Sequence, residues 1–240
     1  MLDQFLDKST SFGIDDFFVL IILVGLEAVL SADNAIALAS ISIGLPERKL
    51  QQQALNYGLL IAFVLRMVLI LTATWVIQYW EFELLGALYL LWLVYQHFWS
   101  GNDQDEEQPG SRFASVWQAI PIIAFTDLAF SLDSVTTAIA VSDEVWLVLT
   151  GATVGIIALR FTAELFIRWL EEFLHLEDAG YITVGLVGLR LLIRVLNPEL
   201  VPPQWLFILI IAAFFIWGFS KRKPLGTENY DSSDIDPPQS

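Results

Sequence analysis

The sequence predicts an all-α membrane protein of about seven transmembrane helices, arranged as two inverted three-helix repeats plus a C-terminal helix. Three observations predict it. The 240 residues are 56% hydrophobic and only 16% charged, with a mean hydropathy of +0.62, more apolar surface than a soluble core of this size could hide. Seven apolar segments alternate with polar stretches, and the second group of three echoes the first. Nine Trp and seventeen Phe would also be badly exposed on a water-soluble chain of this length.

The apolar segments run over 17–44, 55–79, 83–99, 114–141, 145–169, 179–196 and 204–219. A bilayer core of roughly 30 Å takes about 20 helical residues, so the third, sixth and seventh are short. Trp80, Trp99, Tyr181, Trp205 and Trp217 stand near segment ends, where an amphipathic ring anchors at the interface. Residues 1–16 form an N-terminal extramembrane segment and 17–99 the first repeat. An acidic linker (100–113), containing "NDQDEE", leads to the second repeat (114–196) and the seventh helix (204–219). The polar, Pro-containing 220–240 reads as a disordered cytoplasmic tail. The first eighteen residues hold four Asp and one Lys, the reverse of a signal peptide's positive start, so no cleavable signal is expected.

Orientation follows from the basic residues. Arg48, Lys49, Arg112, Arg168, Lys221, Arg222 and Lys223 fall on one side, against Lys8 and the marginal Arg194 on the other. This puts the N-terminus outside (or lumenal) and the C-terminus in the cytoplasm. Zero cysteines exclude disulfides, zinc–thiolate sites and iron–sulfur clusters. A net charge of −15 argues against nucleic-acid binding.

"GLEAVLSADNAIALA" (Gly25–Ala39) carries Glu27 and Asp33 inside the first apolar segment. "AFTDLAFSLDSVTTAIA" (Ala124–Ala140) repeats the spacing with Asp127 and Asp133. Placing Glu27 on Asp127 also places Ser31 on Ser131, Asp33 on Asp133 and Asn34 on Ser134. After a gap, "GLLIAFVLR" (Gly58–Arg66) falls on "GATVGIIALR" (Gly151–Arg160), setting Arg66 opposite Arg160. Each repeat is thus a carboxylate helix, an arginine helix and a third helix containing Gly. Three helices being odd, the repeats enter the membrane from opposite faces, as in many transporters with midplane sites.

An ionised carboxylate at mid-bilayer costs about 2.5–3.5 kcal/mol even on a lenient scale, so four standing alone would cost on the order of 10 kcal/mol. Glu27, Ser31 and Asn34 share one helical stripe, as do Asp127, Ser131 and Ser134. Asp33 and Asp133 lie about 120° round from the first acid of their helix. The two acids of one helix therefore share an ion only if that helix unwinds or partners come from the other repeat. The favoured arrangement brings Asp33 to Asp133 across the repeats, with Glu27 and Asp127 completing the site. Carboxylate, amide and hydroxyl oxygens without Cys or intramembrane His suit a hard divalent cation: Mn²⁺, Ca²⁺ or Mg²⁺. The metal-ligand candidates are Glu27, Asp33, Asn34, Asp127, Asp133 and Ser134; Arg66, Arg160, Glu164 and Arg190 are ion-pair or gating candidates. Arg160 and Glu164, four apart, most simply neutralise each other. A bland alternative makes Arg66 and Arg160 packing counter-ions of Asp33 and Asp133. His97 and His175 read as interfacial, and Gly58, Gly151, Gly155, Gly185 and Gly188 as close helix contacts.

"EAVLSADNAIALA" and "FTDLAFSLDSV" closely resemble the two signature helices of the TerC family of integral membrane proteins, over roughly residues 15–220. The resemblance implies metal-ion homeostasis, chiefly manganese export, and a distant relation to LysE-type exporters. By that analogy Glu27, Asp33, Asn34, Asp127 and Asp133 carry the ion. Members in photosynthetic organisms are linked to thylakoid biogenesis, so plasma and thylakoid membranes both stay open.

The expected function is a secondary transporter exporting a divalent cation, with Mn²⁺ favoured over Ca²⁺ or Mg²⁺, in exchange for protons. No P-loop offers ATP coupling, and no permanently bound cofactor or enzymatic activity is expected. The lipid bilayer, the metal ion and protons are the expected partners, and an oligomer is compatible with them. The alternative is a membrane scaffold or assembly factor with structural buried charges. An intramembrane aspartyl protease fits poorly, because "SADN" and "SLDS" stand where those enzymes carry Gly-x-Gly-Asp, and nearby arginines oppose a shared proton.

Overall fold

A computed structural model describes residues 14–99, 113, 115–142 and 144–223, with backbone alone at 14–16, 26 and 28–33. Among these residues the chain forms seven α-helices and no strand: α1 (Ile14–Ser42), α2 (Arg48–Val76), α3 (Trp80–Trp99), α4 (Val116–Val141), α5 (Val145–Glu172), α6 (Leu176–Leu196) and α7 (Gln204–Gly218). A 3₁₀ turn, Pro198–Leu200, precedes α7, and the Asn197 side chain accepts from the Glu199 N–H at its start. α2, α4, α5 and α6 are long and apolar enough to cross a membrane by length and composition. α7 is apolar but has only 15 residues.

α2 starts at Arg48, seven residues before the expected apolar segment. Its first turns are polar, and there Gln51 turns inward to donate to the Leu45 carbonyl at 2.8 Å. Both carboxylate helices are continuous. The one proline inside α4, Pro121, sits in its second turn, ahead of Asp127. Local unwinding therefore does not bring Glu27 and Asp33, or Asp127 and Asp133, together.

The most extensive helix pairings are α1 with α5, α2 with α4, and α3 with α6, while α7 packs on α6. Exchanging the first three helices for the next three leaves these pairings unchanged. Each carboxylate helix thus lies on the arginine helix of the other half. Small residues set the distance, since a Cβ on Gly58 would strike Ile123 and one on Gly188 would press on Leu90.

Three apolar clusters fill the bundle, and two of them flank the charged residues. One holds Leu23, Leu69, Ile70, Val135, Val148 and Ala152; the other holds Ala35, Ala62, Ile123, Ile156 and Leu159. Along α1, α2, α4 and α5 the sequence passes from one to the other across Glu27, Arg66, Asp127 and Gly155. The charged residues lie in the seam.

The sequence places the start of a disordered tail at residue 220, and the structure corrects this for 220–223. Leu174 N–H donates to the Lys221 carbonyl at 2.9 Å and Lys223 N–H to the Glu172 carbonyl at 2.8 Å. The Lys223 ammonium donates to the Leu170 carbonyl at 2.9 Å, and Arg222 pairs with Glu172 at 3.2 Å. Cationic residues here satisfy the end of α5, where carbonyls lack partners and the helix dipole is negative. Lys223→Ala removes one such bond, a net contribution of about 1 kcal/mol. The thermal midpoint of detergent-purified protein should fall by about 2–4 °C. An unchanged midpoint would show that the Lys223 ammonium contributes nothing to stability. Residues 224–240 and the acidic linker, apart from Phe113, lie outside the described residues.

Candidate functional site

α2 brings Arg66 into the seam, where the residue is 0% exposed. Its guanidinium spans both halves. One terminal nitrogen donates to Glu27 of α1, and the other donates to both Asp127 oxygens at 3.1 and 3.2 Å. Asp127 is also fully buried, and Ser131 donates to its backbone carbonyl at 2.7 Å. Arg66 Nε has no hydrogen-bond partner among the described residues. Glu27 and Asp127, one from each carboxylate helix, thus meet on a shared guanidinium.

Asp133, 7% exposed, lies in a second ionic group. Arg190 and Arg194, one turn apart on α6, both donate to it, and Arg194 also lies 3.6 Å from Glu83 of α3. The Arg190 guanidinium stands over the Phe207 ring at 5.2 Å, tying α7 to the group. At formal charge the first group holds two carboxylates on one guanidinium, and the second holds two carboxylates and two guanidiniums. Mutual pairing is what lets such groups be buried.

Besides a cavity lined by Glu83 between α2, α3 and α4, two narrow cavities adjoin these groups. One is lined by Glu27, Arg66, Ser134 and apolar side chains of α1, α2, α4 and α5. The other is lined by Asn34, Asp133, Ser134, Arg190 and Phe207 among others. Ser134 lines both. Of the six predicted ligands, Glu27, Asn34, Asp133 and Ser134 border a cavity, and Asp127 is sealed behind Arg66. The side chains of Asp33 and Ser31 lie outside the described residues, and the expected Asp33–Asp133 approach lies there with them. Among the described residues, no cluster of three or more His, Cys, Asp or Glu is poised to hold a metal.

Arg66 takes Glu27 and Asp127. Arg160 pairs with Glu164 at 2.8 Å, as their spacing of four predicts, and donates to Asn56 of α2. Gln52 donates to the same Glu164 at 3.2 Å. The packing explains why Arg66 and Arg160 do not correspond. Gly58 sits on Ile123 and Gly151 on Leu23, positions a hundred apart in the two carboxylate helices. Eight residues on from each glycine come Arg66 and Leu159, so the equivalence with Arg160 was one residue out of register. Leu159 is fully buried and apolar. The arginine cradle therefore exists in one half only.

Arg194 and Glu83 join the second ionic group although neither is among the candidates that the sequence singles out. The signal was present in "RLLIR", whose two arginines at i and i+4 share a helix face. His97 and His175 stay outside the carboxylate site. His97 stacks on Tyr181, ring centroids 3.7 Å apart, and its Nε2 lies 3.2 Å from Asp178; His175 stacks on Trp217.

The sequence profile described as "Integral membrane protein TerC family" matches residues 12–224. Relatives include "Uncharacterized membrane protein YceF" of Bacillus subtilis, 38% identical over 81% of this chain and 77% of its own length. "Uncharacterized membrane protein YkoY" of the same organism is 29% identical over 88% of this chain and 75% of its own length. "UPF0053 inner membrane protein YgdQ" of Escherichia coli K12 is 27% identical over 70% and 77% respectively. No solved structure matches the chain.

Proposed function

The chain belongs to the TerC family of integral membrane proteins, and from that premise we propose that it is a secondary transporter exporting a divalent cation, Mn²⁺ ahead of Ca²⁺ or Mg²⁺, in exchange for protons. The observation that carries this reading is the buried guanidinium of Arg66, held between Glu27 and Asp127 from the two carboxylate helices. A cation arriving at these carboxylates takes the place of the guanidinium, and protons do so on the return. Glu27, Asp33, Asn34, Asp127, Asp133 and Ser134 are the proposed ligands; Arg66, Arg190 and Arg194 are the counter-ions that hold the unloaded site.

Formal charge favours a divalent ion. Glu27, Asp127, Asp133 and Glu83 stand against Arg66, Arg190 and Arg194, a net −1, and Asp33 on α1 brings the sum to −2. In this reading the two halves form inverted repeats across seven spans, which the crosswise helix pairing supports. The apolar clusters on either side of the seam serve as inner and outer barriers. The N-terminus lies outside or lumenal and the C-terminus in the cytoplasm, in a plasma or thylakoid membrane, and the protein performs no covalent chemistry.

One observation favours the second reading, a membrane scaffold: Glu27, Asp127 and Asp133 are all matched by arginine in this arrangement. The deciding experiment uses purified protein in liposomes loaded with an Mn²⁺-sensitive dye. Export coupled to protons predicts Mn²⁺ flux that grows with an opposing pH gradient and exceeds Ca²⁺ and Mg²⁺ flux. No protein-dependent Mn²⁺ flux under either gradient would remove the transporter reading and leave the scaffold.

A further inference from the structure

We propose that Gly155 is the positioning residue for Glu27, and that the two halves of the bundle are matched by moving one carbon from helix to carboxylate. This rests on the reading of Glu27 as part of the ion path. On α5, a Cβ at Gly155 would fall well inside contact distance of Glu27 Cγ, and would lie 3.0 Å from Cδ and 3.2 Å from Cβ. No side-chain atom fits at position 155 beside Glu27. Glu27 is 7% exposed, and the narrow cavity that it borders is the space left for it to move into. A methyl group at 155 therefore pushes the carboxylate off Arg66.

The other half shows the converse. Gly58 lies on Ile123 as Gly151 lies on Leu23, and one turn further on come Ala62 and Gly155 respectively. By this register Ala62, which is fully buried, stands opposite Asp127. Where the carboxylate is Glu, the facing helix has Gly; where it is Asp, the facing helix has Ala. The longer acid and the smaller residue occur together, keeping both carboxylates within reach of one guanidinium.

The test is a double-variant cycle with two readouts, Mn²⁺ flux in liposomes and carbodiimide labelling of the residue at position 27, read by mass spectrometry. Carbodiimide reports whether the carboxyl at position 27 becomes open to the reagent once it is displaced from Arg66. Gly155→Ala should lower flux on the order of ten-fold or more and make Glu27 reactive. Gly151→Ala, where a Cβ would lie 3.2 Å from the Cβ of Leu23, should stay within a few-fold and leave Glu27 unlabelled. Gly155→Ala/Glu27→Asp should recover most of the flux, above either single change, and lose the label. Should Gly155→Ala yield little folded protein, recovery of yield in the double variant makes the same point. Equal loss in Gly151→Ala, or a double variant no better than the product of its singles, overturns the proposal. Absence of flux even in the unaltered protein would refute the transport reading alone, since labelling and yield still report on Gly155.

Discussion

Replacing Arg66 with methionine is expected to remove most folded protein from detergent extracts. The change takes from buried Glu27 and Asp127 the guanidinium that they share in the seam. Breaking a buried pair from one side costs about 3–5 kcal/mol, a large part of a typical total stability of 5–15 kcal/mol. The informative companion is Arg66→Met/Glu27→Gln/Asp127→Asn, which removes the whole ionic set while nearly preserving side-chain volume. Its folded yield should return to within about two-fold of the unaltered protein, because replacing a complete buried ion pair by neutral groups is often neutral or stabilising. Its Mn²⁺ flux should remain at background. Size-exclusion chromatography and liposome flux read the two properties separately. A triple variant that both folds and transports would mean that these three charges are packing links.

The second large effect is expected from Asp133→Asn. The side chain is part of the interior, and the substitution keeps its shape while removing its charge. Arg194 retains Glu83 as a counter-ion at 3.6 Å and Arg190 the face of the Phe207 ring, so folding should survive with yield within about two-fold. Cells expressing this variant should accumulate manganese like cells lacking the protein. The same outcome is expected for Asp33→Asn, whose position one repeat away makes it the counterpart. Normal manganese tolerance in both variants, with normal protein levels, would rule out a carboxylate exchange mechanism and return the charges to a structural role.

Much of this architecture was legible because charge inside an apolar helix is costly and therefore conspicuous. Glu27 and Asp127 stood out, the hundred-residue repeat aligned them, and the structure brings them to one guanidinium. The choice of arginine was less legible. A guanidinium on a long flexible stem reaches carboxylates a turn away or on another helix, so sequence spacing does not say which acid it meets. Spacing alone thus does not single out Glu27 and Asp127 for Arg66, or Asp133 for Arg194. The register between "GLLIAFVLR" and "GATVGIIALR" failed for a related reason. Matching the arginines demanded a one-residue gap, whereas packing is governed by the glycines, where a Cβ does not fit. Gly155 was read as a close helix contact without its partner, because nothing in the sequence says that the neighbouring side chain is a carboxylate.

The crosswise pairing of helices also fixes an order of events during synthesis. In the seven-span reading α1 enters the bilayer carrying Glu27, and its principal packing partner, α5, follows more than a hundred residues later. Arg66 arrives only 39 positions after Glu27, early enough for α1 and α2 to enter as a neutralised hairpin. Asp127 then comes to a guanidinium already in place. The first half thus has a way to wait in the lipid as an assembly intermediate, whereas α4 and α5, synthesised alone, would bring Asp127 into the membrane without its arginine.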